Sequence, residues 1–211
     1  MAEEKKNILN FDADDLLEAL CDNIKSDTKD FSDLINLSAD LNRQVVVGDI
    51  FDGVGRSVEG IINFWNRYDD AHNIPIPERK PIQLVIDSNG GSLLDALTIV
   101  DAIKLSKTPV HAFVIGAAYS GGFLITMSCH KRYGYKHSSY LLHEGSIQEM
   151  SGSSSQFENF TAFYKKQLSQ LKDLVLEHTN ITEEEYEKIK REDTWFDADE
   201  ALEKGIIDEV L

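Results

Sequence analysis

The sequence predicts an α/β fold in which helices flank a twisted, mostly parallel β-sheet. Two observations favour this class. Between positions 44 and 143, short apolar runs typical of buried strands alternate with stretches whose apolar residues recur at helical spacing. The chain has 211 residues, which suits one domain with a sizeable buried core.

The predicted elements follow one another in sequence order, and capping residues mark several helix starts. They are a helix over residues 58–68, a strand over 82–86, a helix over 93–103, a strand over 110–116, a helix over 123–127, a strand over 139–145 and a long helix over 157–177. Ser92 is a suitable N-cap for the helix that follows it. The pairs Thr182/Glu185 and Asp197/Glu200 have the spacing of capping boxes, which predicts a final helical hairpin and a last helix. Residues 144–155 are rich in serine and glycine, as in a loop.

Charge and cysteine content argue against several classes of protein. The net charge of −16 argues against nucleic acid and anionic membranes as partners. No apolar run is long enough to span a bilayer, and the N-terminus lacks the apolar core of a signal peptide. The two cysteines, Cys21 and Cys129, show no spacing pattern, so we expect reduced thiols in a cytoplasmic protein.

Ser120 is the first candidate for a catalytic group. It lies in the run AAYSGG (residues 117–122), between a predicted strand and a predicted helix. A serine at such a turn has an exposed hydroxyl, and the small residues around it leave room for another backbone. Small residues at a turn also serve simple close packing, and the first glycine of the hydrolase elbow is missing. This run alone therefore leaves both interpretations open.

Three further motifs strengthen the catalytic interpretation. Gly90 and Gly91 lie between a predicted strand and a helix, where N–H groups without side-chain bulk can hold a developing oxyanion; an ordinary turn is the alternative. This segment lacks the Gly-x-x-x-x-Gly-Lys and Gly-x-Gly-x-x-Gly patterns that are typical of phosphate-binding loops. His143 stands at the end of a predicted strand, a suitable place for a general base. Asp193 precedes two aromatic residues that would bury its turn.

In this order, the motifs resemble the Clp protease family, whose proteolytic subunits are serine peptidases of the ClpP/crotonase-like fold with ββα repeats. The resembling segments are QLVIDSNGGS (83–92), IGAAYSGG (115–122), YLLHE (140–144) and DTWFDADEALEKGIIDEVL (193–211), and the likeness begins with LNRQVVVG (41–48). The chain order Ser, His, Asp also differs from the Ser, Asp, His order of α/β-hydrolases.

The resemblance implies a role for each matching residue. Ser120 would be the nucleophile, His143 the base and Asp193 the group that orients the imidazole. The backbone amides of Gly91 and Gly121 would form the oxyanion hole. The family's chemistry needs neither a cofactor nor a metal.

The resemblance also implies an assembly and a domain organisation. Unfolded polypeptides would be cut inside a homo-oligomer of two stacked heptameric rings, fed by a Clp-type AAA+ unfoldase ATPase. Residues 41–211 would be the peptidase domain, with a C-terminal helical part. Residues 1–40, which carry eleven acids and four bases, would lie near the axial entrance and gate it; a disordered acidic tail is the alternative. The long helix over 157–177 would belong to the handle that interlocks the rings, although its apolar stripe equally suits an intramolecular core.

The chain departs from the family's usual residues near the site. Asp87 and Asn89 stand where the family usually has Asn and Pro, Gly121 where it commonly has Met, and Glu144 where Gln is common. None of these changes removes a catalytic group, so they affect substrate subsites more than chemistry.

Two other functions stay open from the sequence. One is a serine peptidase of the signal-peptide-peptidase A type, whose serine has a similar setting but pairs with lysine; the strand-ended His143 argues against it. The other is a catalytically silent crotonase-fold scaffold subunit that retains the serine by descent.

Overall fold

A seven-stranded β-sheet organises the part of the chain that the computed structural model describes, residues 42–145, 152–189 and 192–211. These residues all lie in the compact unit Asn42–Leu211. The strands are β1 (Gln44–Val47), β2 (Ile82–Ser88), β3 (Val110–Tyr119), β4 (Lys131–Gly134), β5 (Ser139–Leu142), β6 (Thr194–Asp197) and β7 (Glu209–Val210). The helices are α1 (Val54–Ala71), α2 (Leu93–Leu105), α3 (Gly121–Ser128), α4 (Ser154–His178), α5 (Glu183–Ile189) and α6 (Ala198–Glu203), with a 3-10 turn at Ile76–Glu78.

The sheet is mostly parallel and is built around β3. Its main order is β1-β2-β3-β4-β7, and all of these neighbours are parallel. The last residues of β3 pair with β5, and β5 pairs antiparallel with β6. The α/β class with a mostly parallel sheet is therefore confirmed.

Helices cover one face of this sheet. α1 packs against α2, and α2 packs against α3. Alternate strand residues enter the core that these helices share: Val45, Val47, Ile82, Leu84, Ile86, Val110, Ala112 and Val114. The opposite face, which we call the open sheet face, keeps partly or largely exposed apolar residues: Val46, Val85, Phe113, Ile115, Tyr133 and Tyr135. Among the described elements, none buries this second face as the helices bury the first.

The structure extends several predicted elements and adds short strands, among them β4, β6 and β7. α1, α3 and α4 begin earlier than their apolar spacing predicts, and β3 continues to Tyr119 because its last residues pair with β5. β6 and β7 have four and two residues, too few to show a period in the sequence. Because β6 follows α5, the predicted helical hairpin is not formed. The predictions for residues 1–40 lie outside the described residues, as does the part of the predicted loop at 146–151.

Arg43 and Asp69 form a buried ion pair that joins the start of β1 to the end of α1. The guanidinium donates to both carboxylate oxygens, Nη1 to Oδ2 at 2.9 Å and Nη2 to Oδ1 at 2.7 Å. Asp69 is fully buried and also accepts a hydrogen bond from Thr108 Oγ1 at 2.7 Å. These hydrogen bonds compensate much of the free energy that burial of the two charges costs.

We expect Asp69→Ala to destabilise the fold by about 3–5 kcal/mol, because the Arg43 guanidinium stays buried without its counter-charge. The urea unfolding midpoint, measured at fixed subunit concentration, reports this change. Lys188→Ala, which removes an exposed pair with Glu184, is the control and should leave the midpoint almost unchanged. Equal midpoints for Asp69→Ala and the wild-type protein would contradict the expectation.

Arg132 ties β4 to the C-terminal residues. Its Nη2 donates to Asp208 Oδ1 at 2.5 Å, and its Nη1 donates to the carbonyl oxygens of His178 and Gly205 at 2.8 and 2.9 Å. Burial raises the pKa of Asp208, but the hydrogen bonds and the charge of Arg132 outweigh burial and hold that pKa below its usual value.

The contribution of Asp208 to stability should therefore be lost in acid. Its pKa is lower in the folded than in the unfolded chain, so the stabilisation is present above the unfolded value near 4 and disappears as the pH falls through the folded value. Asp208→Asn should flatten the decline of the thermal midpoint below about pH 4. Asp199→Asn, at an exposed carboxylate, is the control. An unchanged acid decline in Asp208→Asn would refute this role.

Candidate active site

Ser120 occupies the turn between β3 and α3. Its φ of 53° and ψ of −113° place a non-glycine residue in a region that side chains rarely adopt. The Ser120 N–H donates to the Leu141 carbonyl at 2.9 Å, and the Ser120 carbonyl accepts the first helical bond from Leu124 N–H at 3.2 Å. The surrounding structure thus maintains a backbone conformation that costs about 1–3 kcal/mol, as is common at functional sites.

The glycine loop (residues 88–92) approaches this turn so closely that it needs glycine. A Cβ at Gly90 would lie 2.7 Å from the Ser120 Cβ, and one at Gly91 would collide with the Ile50 carbonyl oxygen. Both glycines also have positive φ, 92° and 140°. The loop backbone therefore lies directly against the serine.

Two backbone N–H groups beside Ser120 are left unused by the secondary structure. The parallel bridge between Ile50 and Gly91 consists of two hydrogen bonds, from Ile50 N–H to the Gly90 carbonyl and from Ser92 N–H to the Ile50 carbonyl. Neither of these bonds uses the N–H of Gly91. Gly121 is the first residue of α3, so its N–H has no acceptor within the helix. The Gly91 nitrogen lies 3.8 Å from the position of a Cβ on Gly121. Such a pair of N–H groups suits a negatively charged oxygen.

His143 and Asp193 are brought together by strand register. β5 and β6 pair antiparallel with Leu142 opposite Thr194, so the residues after β5 and before β6 meet across the strands. His143 Nδ1 lies 3.7 Å from Asp193 Oδ1, with 24% of the histidine side chain and 65% of the aspartate side chain exposed. This distance is longer than a hydrogen bond.

Ser120 and His143 line one cleft, but no hydrogen bond joins their side chains. His143 Nε2 is buried and, among the described residues, has no hydrogen-bond partner. The cleft has a volume of about 790 Å³. Its walls combine the glycine loop and both candidate groups with apolar side chains: Leu124, Leu141, Leu142, Leu171 and Val175. The arrangement places a hydroxyl, an imidazole and two N–H groups without acceptors among the described residues around one open cleft.

Asp49 and Tyr164 also line the cleft, although no sequence motif marks them. Tyr164, on α4, donates its hydroxyl to the Glu144 carbonyl at 3.2 Å, and burial together with the Glu144 charge raises its pKa. Asp49 follows β1 at the other wall. Neither residue belongs to a motif, and chain folding alone brings them to the site.

Within residues 42–145, 152–189 and 192–211, no group of three or more His, Cys, Asp or Glu side chains is arranged to hold a metal ion. No helix in the same ranges is long and apolar enough to cross a membrane.

Comparison with known proteins bears on the identity of the chain. The family model for Clp protease matches residues 76–211. Among curated relatives, the ATP-dependent Clp protease proteolytic subunit 2 of Treponema pallidum (strain Nichols) is 31% identical over 134 residues, which cover 63% of this chain and 67% of that protein. Subunit 2 of Corynebacterium efficiens is 30% identical over 192 residues, covering 85% and 95%. The proteolytic subunit of Lactococcus lactis subsp. lactis (strain IL1403) is 29% identical over 174 residues, covering 79% and 81%.

The matched range includes the glycine loop, Ser120, His143 and Asp193, and the resemblance stated from the motifs is confirmed at modest identity. The chain therefore belongs to the Clp protease family, as a divergent serine endopeptidase of the ClpP type.

Proposed function

We propose that Ser120, His143 and Asp193 form the catalytic triad of this endopeptidase, with the Gly91 and Gly121 amides as its oxyanion hole. The observation that carries the proposal is the placement of Ser120 in a strained turn beside two unused N–H groups, on the same cleft as His143. A turn formed only for close packing requires neither the free amides nor the facing imidazole.

The proposed reaction is acyl transfer. Ser120 Oγ attacks the scissile carbonyl while His143 Nε2 accepts the hydroxyl proton, and the carbonyl oxygen becomes an oxyanion against the two glycine amides. The intermediate collapses, His143 returns the proton to the leaving amine, and the C–N bond breaks. Water then attacks the acyl-enzyme with His143 again as base, which releases the second product and restores Ser120.

Asp193 acts by orienting His143. For this its Oδ1 must approach His143 Nδ1 from 3.7 Å to hydrogen-bond distance, about 2.8 Å. His143 Nε2 is already unpartnered and is therefore available to Ser120 Oγ. Hydrogen bonds of this kind are often long without substrate and shorten in the complex.

Membership of the family implies partnership with Clp ATPases and oligomeric assembly. We propose two stacked heptameric rings of this chain, which enclose the active sites and cut unfolded polypeptides delivered by an AAA+ unfoldase. Apolar side chains of the open sheet face and the exposed Phe157 and Phe163 of α4 support such an assembly, because exposed apolar patches mark protein interfaces. Residues 41–211 would form the peptidase domain, and residues 1–40 would gate the axial entrance.

The alternatives from the sequence are less well supported. Among the described residues that line the cleft there is no lysine, which a Ser/Lys dyad requires. A silent scaffold needs neither the strained serine nor the free amides.

We expect Ser120→Ala to abolish peptide hydrolysis, because the hydroxyl of Ser92, which also lines the cleft, caps α2 and donates to Asp95. The variant should keep the wild-type oligomeric state and lose labelling by a fluorophosphonate. Ser57→Ala, at an exposed serine of α1, is the control and should keep full activity. Hydrolysis or labelling by purified Ser120→Ala would show that the nucleophile is another residue.

We expect His143→Ala to be nearly as inactive as Ser120→Ala, and the double variant to be hardly worse, because triad members act as one unit. Asp193→Ala should retain more activity, since its side chain is largely exposed and lies 3.7 Å from the imidazole. Peptidase rates and sizing chromatography, measured together, separate chemistry from assembly. Additive losses in the double variant would contradict a shared mechanism.

A further inference from the structure

We infer that Asp49 is a positioning residue, which holds the glycine loop so that the Gly91 amide faces the reacting carbonyl. The inference rests on the proposed oxyanion hole and extends it to a side chain that no motif contains. Asp49 lies between β1 and α1 and borders the cleft.

The glycine loop has few bonds of its own. β2 ends at Ser88, and the two following glycines have positive φ, so the regular ladder between β2 and β3 does not fix them. Within the loop, Gly90 N–H donates to Ser88 Oγ at 3.1 Å. The remaining hydrogen bonds that hold residues 89–92 in the described structure come from residues outside the loop or from the start of α2.

Residues 49 and 50 hold the loop at three points. Ile50 N–H donates to the Gly90 carbonyl at 2.8 Å, and the Ile50 carbonyl accepts from Ser92 N–H at 2.7 Å. Asp49 Oδ1 accepts twice from Asn89, from the backbone N–H at 2.8 Å and from Nδ2 at 3.1 Å. One carboxylate oxygen thus fixes both the backbone and the side chain of the residue that precedes the two glycines.

The orientation of Asn89 affects the oxyanion hole through the backbone. Gly91 is two residues beyond Asn89, and neither Gly90 between them nor Gly91 itself has a side chain that would restrict its backbone conformation. Its amide is useful only when it points at the oxyanion, and misplacement by about 1 Å can reduce a rate about 100-fold. The Asp49–Asn89 bonds reduce the conformations available to the loop before substrate arrives.

The alternative role of Asp49 is its charge, since Asp49 and Glu144 are the carboxylates among the described residues that line this cleft. Two substitutions at Asp49 separate the roles. Asp49→Asn removes the charge but keeps a carbonyl oxygen that accepts from Asn89. Asp49→Ala removes both. A neutral peptide substrate limits the effect of the charge on substrate binding.

We expect Asp49→Ala to lower kcat about tenfold with little change in KM, and Asp49→Asn to restore most of the lost rate. A peptide aldehyde supplies a second readout. Addition of Ser120 Oγ to its carbonyl forms a C–O bond and turns the carbonyl oxygen into an oxyanion, while His143 takes the hydroxyl proton. Its inhibition constant should rise in Asp49→Ala by about the same factor as kcat falls. Asp52 lies, like Asp49, between β1 and α1, but it is exposed and outside the cleft. Asp52→Ala is therefore the matched control and should have unchanged kinetics.

The outcomes distinguish the inference from the proposed function. Wild-type kcat in Asp49→Ala, with Ser120→Ala inactive, would overturn the positioning role and leave the triad intact. Equal losses in Asp49→Ala and Asp49→Asn would also overturn it, because charge would then be responsible. If Asp49→Ala does not assemble, Asn89→Ala is measured, since it removes only the 3.1 Å bond. For Asn89→Ala, a fall in kcat with a matching loss of aldehyde affinity supports the positioning role of Asp49, and wild-type values of both overturn it.

Discussion

The structure depends on how β3 passes from the centre of the sheet to the candidate active site. Its first half pairs with β2 and β4, and its last residues pair with β5. Between the two parts, the register with β2 shifts by two residues, and the Asp87 carboxylate accepts a hydrogen bond from Ala117 N–H at 2.9 Å. A Cβ on Gly116 would collide with that carboxylate. This irregularity delivers Ser120 to the place where the glycine loop and β5 meet, and bulges next to active sites commonly have this role.

The proposed chemistry at that place would use backbone groups as much as side chains. The amides of Gly91 and Gly121 have no acceptor among the described residues, because one lies in an isolated bridge and the other begins a helix. The glycines allow the two turns to touch, and the positive φ of Ser120 turns the chain directly from strand into helix. Donors fixed by backbone geometry need little reorganisation when charge develops, which is why they stabilise an oxyanion effectively.

The same chain leaves apolar surface exposed. Helices bury one face of the sheet, whereas the open sheet face keeps partly exposed aromatic side chains, with the rings of Phe113 and Tyr133 stacked at 4.7 Å. α4 buries Leu174 and Val175 near its C-terminal end, while Phe157 and Phe163 near its N-terminal end are about half exposed. The apolar stripe of α4 thus packs into the core at its C-terminal end and is exposed towards its N-terminal end.

The sequence by itself determined the α/β class, most elements and the turn that carries Ser120, because these follow from local patterns: apolar periodicity, capping pairs and glycine at turns. The capping boxes at Asp197/Glu200 and Thr182/Glu185 are confirmed for this reason. The short strands β6 and β7 have no such pattern, since their formation depends on partners more than 50 residues away. Only the tertiary structure decided that His143 stands 3.7 Å from Asp193 and that Asp49 holds Asn89, because strand register and loop contacts join residues that no local spacing connects.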